Sequence, residues 1–119
     1  MTKSQFLIGA AASSSGKTTL TLGLLRAFAR RGKRVQPFKC GPDYIDPQFH
    51  RLAAGSESIN LDPFMATESH LRTLYARYGA SADVCVAEGA MGLFDGYDRD
   101  RGSAAEIART LRLPVVLVV

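Results

Sequence analysis

Cysteine is scarce in this chain: Cys40 and Cys85 are the only two among 119 residues. They lack CxxC spacing, which argues against a zinc site or a disulfide framework and suits a reducing cytosol. The N-terminus carries no long apolar segment of the secretory type, and no apolar run approaches membrane-spanning length. The sequence therefore predicts a soluble, cytoplasmic protein with no membrane partner. Charge of one sign is not abundant either. The formal net charge is only +4, and the basic run "RRGKR" falls where a helix ends, complementing its dipole and solvating a surface. No nucleic-acid partner is expected from so small an excess. There is no repeat, low-complexity segment or linker.

Apolar residues make up 46% of the chain, enough for a core in one small domain or part of a larger one. "SQFLIGAA" (4–11) predicts a buried strand entering a turn. Leu20, Leu24, Ala27 and Phe28 fall at helical spacing, with Gly32 as the C′ residue. "RVQPFKC" (34–40) predicts a second strand, where Pro37 implies a sheet edge or an end to regular pairing. Pro47 opens a short helix through Leu52 that stops near Gly55. Leu71, Leu74, Tyr75 and Tyr78 mark a further helix, with Thr67 near its start and Gly79 after it. "DVCVAEG" (83–89) is the third strand. Ser103 and Glu106 form a capping-box pattern before Ile107, Ala108 and Leu111. "LPVVLVV" (113–119) is a fourth strand, apolar enough to need cover on both faces and to be central in a sheet. Strands alternating with helices predict an α/β fold with a parallel sheet. The chain stops inside that last strand, so a truncated domain is expected.

Chemistry concentrates in three segments. "GAAASSSGKTTLT" (9–21) sits between a strand and a helix. It ends as a phosphate loop does, in Gly16, Lys17 and Thr18, but Ala11 replaces the first glycine of the usual spacing. Backbone N–H groups there can cradle phosphate, and Ser13, Ser14 and Ser15 are small enough to allow close approach. Lys17 would reach the β- and γ-phosphates, and the Thr18 hydroxyl would face Mg²⁺. The bland alternative is a serine-rich turn capped by Ser15. "VCVAEGAMGLFDG" places Glu88 at a strand end, where a carboxylate can hold Mg²⁺ directly or through water. Its glycines at 89, 92 and 96 permit close approach of a ligand. Otherwise Glu88 is a surface acid. "PFKCGPDYIDP" crowds Lys39, Asp43 and Asp46 at the end of the second strand, facing the same cleft as Lys17 and Glu88. Here too the alternatives stay open: an N-cap for Asp46, an Asx-turn for Asp43, a solvated surface for Lys39. Asp95 lies within the glycine-rich segment, and Asp98 and Asp100 in a solvated loop. His50 and His70 read as surface or packing residues, and Cys40 as a packing residue.

At these segments the sequence resembles the cobyrinic acid a,c-diamide synthase family, including its hydrogenobyrinic acid counterpart. The residues that carry the resemblance are "GAAASSSGKTTLTLGLLRAF", "VQPFKCGPDYIDPQFH" and "EGAMGLFDG". "KCGPDYIDP" is the most specific. That family belongs to a P-loop branch whose loop departs from the strict glycine spacing, which accounts for Ala11. The resemblance implies a dethiobiotin-synthetase-like nucleotide-binding fold that uses ATP and Mg²⁺. It implies amidation of the a and c carboxylates of a corrin through an acyl phosphate, with glutamine as nitrogen donor. Nucleotide binding would fall to Ser13, Ser14, Ser15, Gly16, Lys17, Thr18 and Thr19, and the metal to Thr18, Glu88 and Asp43. Lys17, Lys39, Asp43, Asp46, Glu88 and Asp95 would serve the reaction. Residues 1–119 would be the N-terminal part of the ATP-binding domain, inactive alone, with the glutaminase domain outside them and a homo-oligomer left open. Two rivals remain: a P-loop ATPase that switches protein partners, and a carboxylate kinase that uses no glutamine.

Overall fold

The structure is a computed structural model that describes residues 3–12, 16–63, 65–95 and 103–119. In chain order the elements are β1 (Ser4–Ala10), α1 (Lys17–Arg30), β2 (Val35–Cys40), α2 (Asp46–Ala54), β3 (Ile59–Leu61), α3 (Glu68–Gly79), β4 (Val84–Glu88), α4 (Ala104–Leu111) and β5 (Val115–Val118). The strands form one sheet in the order β3-β2-β4-β1-β5. Every pairing is parallel, so the predicted α/β class with a parallel sheet is what forms. No helix among the described residues is long and apolar enough to cross a membrane.

Side chains alternate across a strand, so each strand divides its residues between two faces. Leu7, Phe38, Cys40, Cys85 and Ala87 enter one core with Leu71 of α3 and Ile107 of α4. Ile8, Val35, Val84 and Val86 enter a second core with Leu25 of α1 and Ala54 of α2. Continuing this alternation puts Lys39 after Val35 and Pro37, and Glu88 after Val84 and Val86, on the α1/α2 face. The register sets Lys39 directly beside Glu88 at the carboxyl ends of β2 and β4.

The local signals act as their chemistry predicts in most places. Thr67 accepts a bond from His70 N and Ser103 from Glu106 N, capping α3 and α4. Gly55 ends α2 at φ 80°, a left-handed position that glycine takes without strain.

Three expectations need correction. The buried stripe of α1 centres on Thr21 and Leu25, while Leu20 and Ala27 are exposed. Thr21 can be buried because its hydroxyl donates to Lys17 O at 2.8 Å within the helix. β2 is not an edge strand, since it lies between β3 and β4. Its pairing with β3 starts only at Phe38, after the proline. The Gln36 carboxamide fills the gap, donating to Pro37 O at 2.9 Å and Glu57 O at 2.7 Å. The three-residue β3 carries no periodicity to read, and the sequence did not reveal it. Among the described strands β5 pairs with β1 alone, and Val115, Val116 and Leu117 are 39%, 42% and 49% exposed.

Candidate active site

The cleft lies at the carboxyl ends of β1, β2 and β4. It has a volume of about 470 Å³ and is lined by Ala12, Gly16, Lys17, Thr18, Thr19, Lys39, Asp43, Asp46, Glu88, Ala90 and Met91. Its floor is a buried polar cluster. Lys39 Nζ donates to Asp46 Oδ2 at 2.7 Å, to Glu88 Oε2 at 3.2 Å and to Gly89 O at 3.2 Å. Asp43 Oδ2 stands 3.7 Å from the same ammonium. Thr18 Oγ1 donates to Glu88 Oε2 at 2.9 Å. The other oxygen, Oε1, is 2.7 Å from His50 Nε2, and His50 Nδ1 is 2.9 Å from Ser58 Oγ. Glu88 and His50 are fully buried and Lys39 is 3% exposed.

Each group arrives by simple geometry. Asp46, His50 and Ala54 are four residues apart on α2 and so share one face. That face offers a carboxylate to Lys39, an imidazole to Glu88 and a methyl to the core. The loop before α2 is folded by Asp43, whose Oδ1 accepts from Ile45 N at 2.8 Å and Asp46 N at 3.4 Å. Asn60 of β3 braces it, donating to Gly41 O at 2.8 Å and Asp43 O at 2.7 Å. On the P-loop side, Gly16 takes φ 89° at the start of α1. Lys17 Nζ donates to Met91 O at 2.8 Å, across the cleft.

The electrostatics follow from this packing. Burial alone would raise the Glu88 pKa. The bond from His50, the charge of Lys39 and the bond from Thr18 outweigh it, holding the carboxyl well below its ordinary range. Burial would lower the Lys39 pKa, but the Asp46 bond and the Glu88 charge raise it on balance. For Lys17, burial, then repulsion from Lys39, lowers the pKa, and the charges of Glu88 and Asp46 offset only part of this. Burial pushes the Cys40 thiol up to about 12, which fits an inert packing residue.

A carboxylate whose folded pKa is depressed adds stability above its unfolded pKa and loses it as pH falls through the folded value. Glu88→Gln is therefore expected to be less stable than wild type at neutral pH. The gap should close as pH drops below the ordinary carboxylate range. Denaturant unfolding at stepped pH measures it, and a gap independent of pH would contradict the assignment.

Lys17, Thr18, Thr19, Gly16, Lys39, Asp43, Asp46 and Glu88 are thus gathered around one cleft. The surface readings of Lys39 and Glu88 do not hold, because both are buried. Asp46 is the first residue of α2 rather than its N-cap, and its side chain makes no cap bond. Asp43 makes its turn and also faces Lys39 across 3.7 Å at the cleft. Asp95 does not join the lysine–carboxylate cluster. It is exposed, and its Oδ2 accepts from Gly92 N at 3.0 Å. Gly89 is needed for packing within the protein, since a Cβ there would come 2.9 Å from Ala104 Cβ, whereas a Cβ at Gly92 would meet the exposed Asp95 carboxylate at 2.8 Å, which can swing away. Ser13, Ser14, Ser15, Gly96, Asp98 and Asp100 lie outside the described residues. His50 is the residue that sequence reasoning missed, since it is neither a surface nor a mere packing residue. The available signal was its spacing of four from Asp46.

The donor set suits Mg²⁺ shared with a nucleotide. Mg²⁺ keeps several waters and takes one or two protein oxygens beside phosphates. Thr18 Oγ1 and Glu88 Oε2 supply such a pair. A hydroxyl that gives its proton to a carboxylate keeps its lone pairs for a cation. Among the described residues no group of three or more His, Cys, Asp or Glu side chains forms an all-protein metal cage.

A Brucella ovis protein named hydrogenobyrinate a,c-diamide synthase is 56% identical over 115 residues, covering 96% of this chain and 26% of that one. Proteins named cobyrinate a,c-diamide synthase are 52% identical over 118 residues in Listeria monocytogenes and 50% over 115 in Picrophilus torridus. These alignments cover 97% and 95% of this chain and 26% of each relative. The chain therefore spans about a quarter of the length of these curated relatives, and the motif-based resemblance is borne out. A crystal structure of a DUF1611 family protein from Anabaena variabilis superposes with a TM-score of 0.63 at 20% identity. That match covers 97% of this chain and 32% of the other, and at this identity it speaks to the fold alone. Residues 6–119 match the family described as the CobQ/CobB/MinD/ParA nucleotide binding domain, and the chain belongs to that family.

Proposed function

We propose that this chain is the ATP-binding part of an amide synthase that converts the a and c side-chain carboxylates of a corrin to carboxamides in cobalamin biosynthesis. The observation that carries the reading is the convergence of Lys17, Thr18, Lys39, Asp43, Asp46 and Glu88 on one cleft. The names of relatives at 50–56% identity supply the substrate class.

A carboxylate is a poor electrophile, so the chemistry needs a leaving group. A carboxylate oxygen of the substrate attacks the γ-phosphorus of ATP, and ADP departs. Ammonia, drawn from glutamine in the complete enzyme, then attacks the acyl carbon, phosphate leaves, and the nitrogen loses a proton. Thr18 and Glu88 would hold Mg²⁺, which would supply charge neutralisation on the phosphate oxygens. Lys17 exchanges the Met91 carbonyl for phosphate, a stronger charge-assisted acceptor. Lys39 offsets Asp43, Asp46 and Glu88, so an acidic acceptor can enter a cleft that would otherwise repel it. Asp43 and Asp46 set the polar wall against which the acceptor carboxylate and ammonia are placed. Asp43 would also stand near the metal, facing Thr18 and Glu88 across the same cleft.

The test is Asp43→Asn and Asp46→Asn in the full protein, with corrin substrate, ATP and free ammonia in place of glutamine. Asparagine keeps one acceptor oxygen at each position, for the turn at 43 and for Lys39 at 46, but it removes the charge. Both variants are expected to fold and to lose amide formation by orders of magnitude, about 100-fold or more. Wild-type rates would reduce "GPDYIDP" to turn chemistry. ATP hydrolysis indifferent to corrin would favour a partner-switching ATPase instead.

A further inference from the structure

Glu88 and Lys39 are accounted for by the cleft, but the imidazole behind them is not. His50 is fully buried on α2, between the strand-end carboxylate and Ser58. Nothing in the phosphate loop chemistry requires a histidine there. A buried leucine at this position would pack without the polar burden, since every buried polar atom must find a partner. Among the described residues no buried side-chain nitrogen or oxygen lacks one.

The two oxygens of Glu88 have different partners. Oε1 is taken by His50 Nε2 at 2.7 Å, and Oε2 meets Thr18 Oγ1 at 2.9 Å and Lys39 Nζ at 3.2 Å. An ionised carboxylate only accepts, so His50 Nε2 carries the proton and donates. In the neutral ring, Nδ1 is left to accept from the Ser58 hydroxyl. Without the imidazole, the carboxylate could rotate about its terminal torsion, which has only broad minima. Either oxygen could then turn toward the cleft.

We propose that His50, backed by Ser58, is a positioning residue that ties down Glu88 Oε1 and so presents Oε2 alone to Thr18 and the nucleotide-bound metal. The inference rests on the Mg²⁺·ATP reading of the cleft. It makes Glu88 a one-oxygen partner, acting on the Thr18 hydroxyl or on a single metal position, and not a bidentate ligand. Outer partners of this kind typically change metal affinity by about 10- to 100-fold.

The experiment measures binding of a fluorescent ATP analogue to the full protein, with Mg²⁺ and in chelator, for wild type, His50→Phe and His50→Gln. Phenylalanine keeps the ring without the donor. The glutamine carboxamide can place an N–H near the Nε2 position. For His50→Phe the expected result is a loss of about tenfold or more in affinity with Mg²⁺ and no change in chelator. His50→Gln should recover most of the loss. Equal losses with and without Mg²⁺, no loss at all, or no recovery by glutamine would overturn the inference. If His50→Phe does not fold, Ser58→Ala decides. A smaller loss confined to the Mg²⁺ condition supports the positioning role, and an unchanged Mg²⁺ dependence overturns it. Failure of the wild type to bind the analogue more tightly with Mg²⁺ would instead remove the underlying reading of the cleft, and the inference with it.

Discussion

Lys17→Ala in the full protein is expected to abolish ATP-dependent amide formation, with a loss of about 100- to 1,000-fold or greater. Hydrolysis of glutamine, if carried by a separate domain, should persist at least in part. Lys17 sits at the first turn of α1 with its ammonium in the cleft, bonded to Met91 O. Burial and the neighbouring Lys39 both disfavour its charged form, and a bound polyphosphate relieves both. Alanine removes that charge and leaves the phosphates to Mg²⁺ and backbone N–H groups alone. The measurement is single-turnover phosphate release together with nucleotide affinity. Near-normal turnover at saturating ATP would sink the phosphate-loop assignment.

Lys39→Met is expected to give the largest loss of stability of any single substitution in the cleft. Lys39 is 3% exposed, and its ammonium lies between Asp46, Glu88 and Asp43. Removing one partner of a buried ion pair strands the others in low dielectric, which costs about 3–5 kcal/mol. Glu88 keeps His50 and Thr18, and Asp46 is partly open to solvent, so the lower end of that range applies. Methionine preserves the apolar stem and isolates the charge. By contrast, the Arg51–Glu57 pair at 3.3 Å is open to solvent on both sides and contributes little when broken. Urea unfolding of the full protein reads the difference. A shift no larger than that of an exposed pair would mean that the cluster does not act as a unit.

The sequence by itself determined the fold class and the identity of most cleft residues. Alternating strand and helix patterns, the capping residues Thr67 and Ser103, and the S-G-K-T run after a strand are local signals. Local sterics and hydrogen bonding make them legible without any tertiary knowledge. Crowding within "KCGPDYIDP" likewise announced Lys39, Asp43 and Asp46, though not what they do. What each of those charges meets was decided by register and by helix face. Lys39 is buried because β2 and β4 align it with Glu88 on the α1/α2 side, a pairing 49 residues apart in the chain. His50 enters the site because α2 turns the face it shares with Asp46 and Ala54 toward that side, while Phe49 beside it is half exposed. The alternative N-cap role of Asp46 is not realised for the same reason: it is the first residue of α2, and its carboxylate pairs with Lys39. A single residue's burial depends on which strands flank it and which helix covers it, and those neighbours come from distant parts of the chain. Pattern and propensity report only on nearby residues, so only the assembled sheet could gather three carboxylates around one buried ammonium.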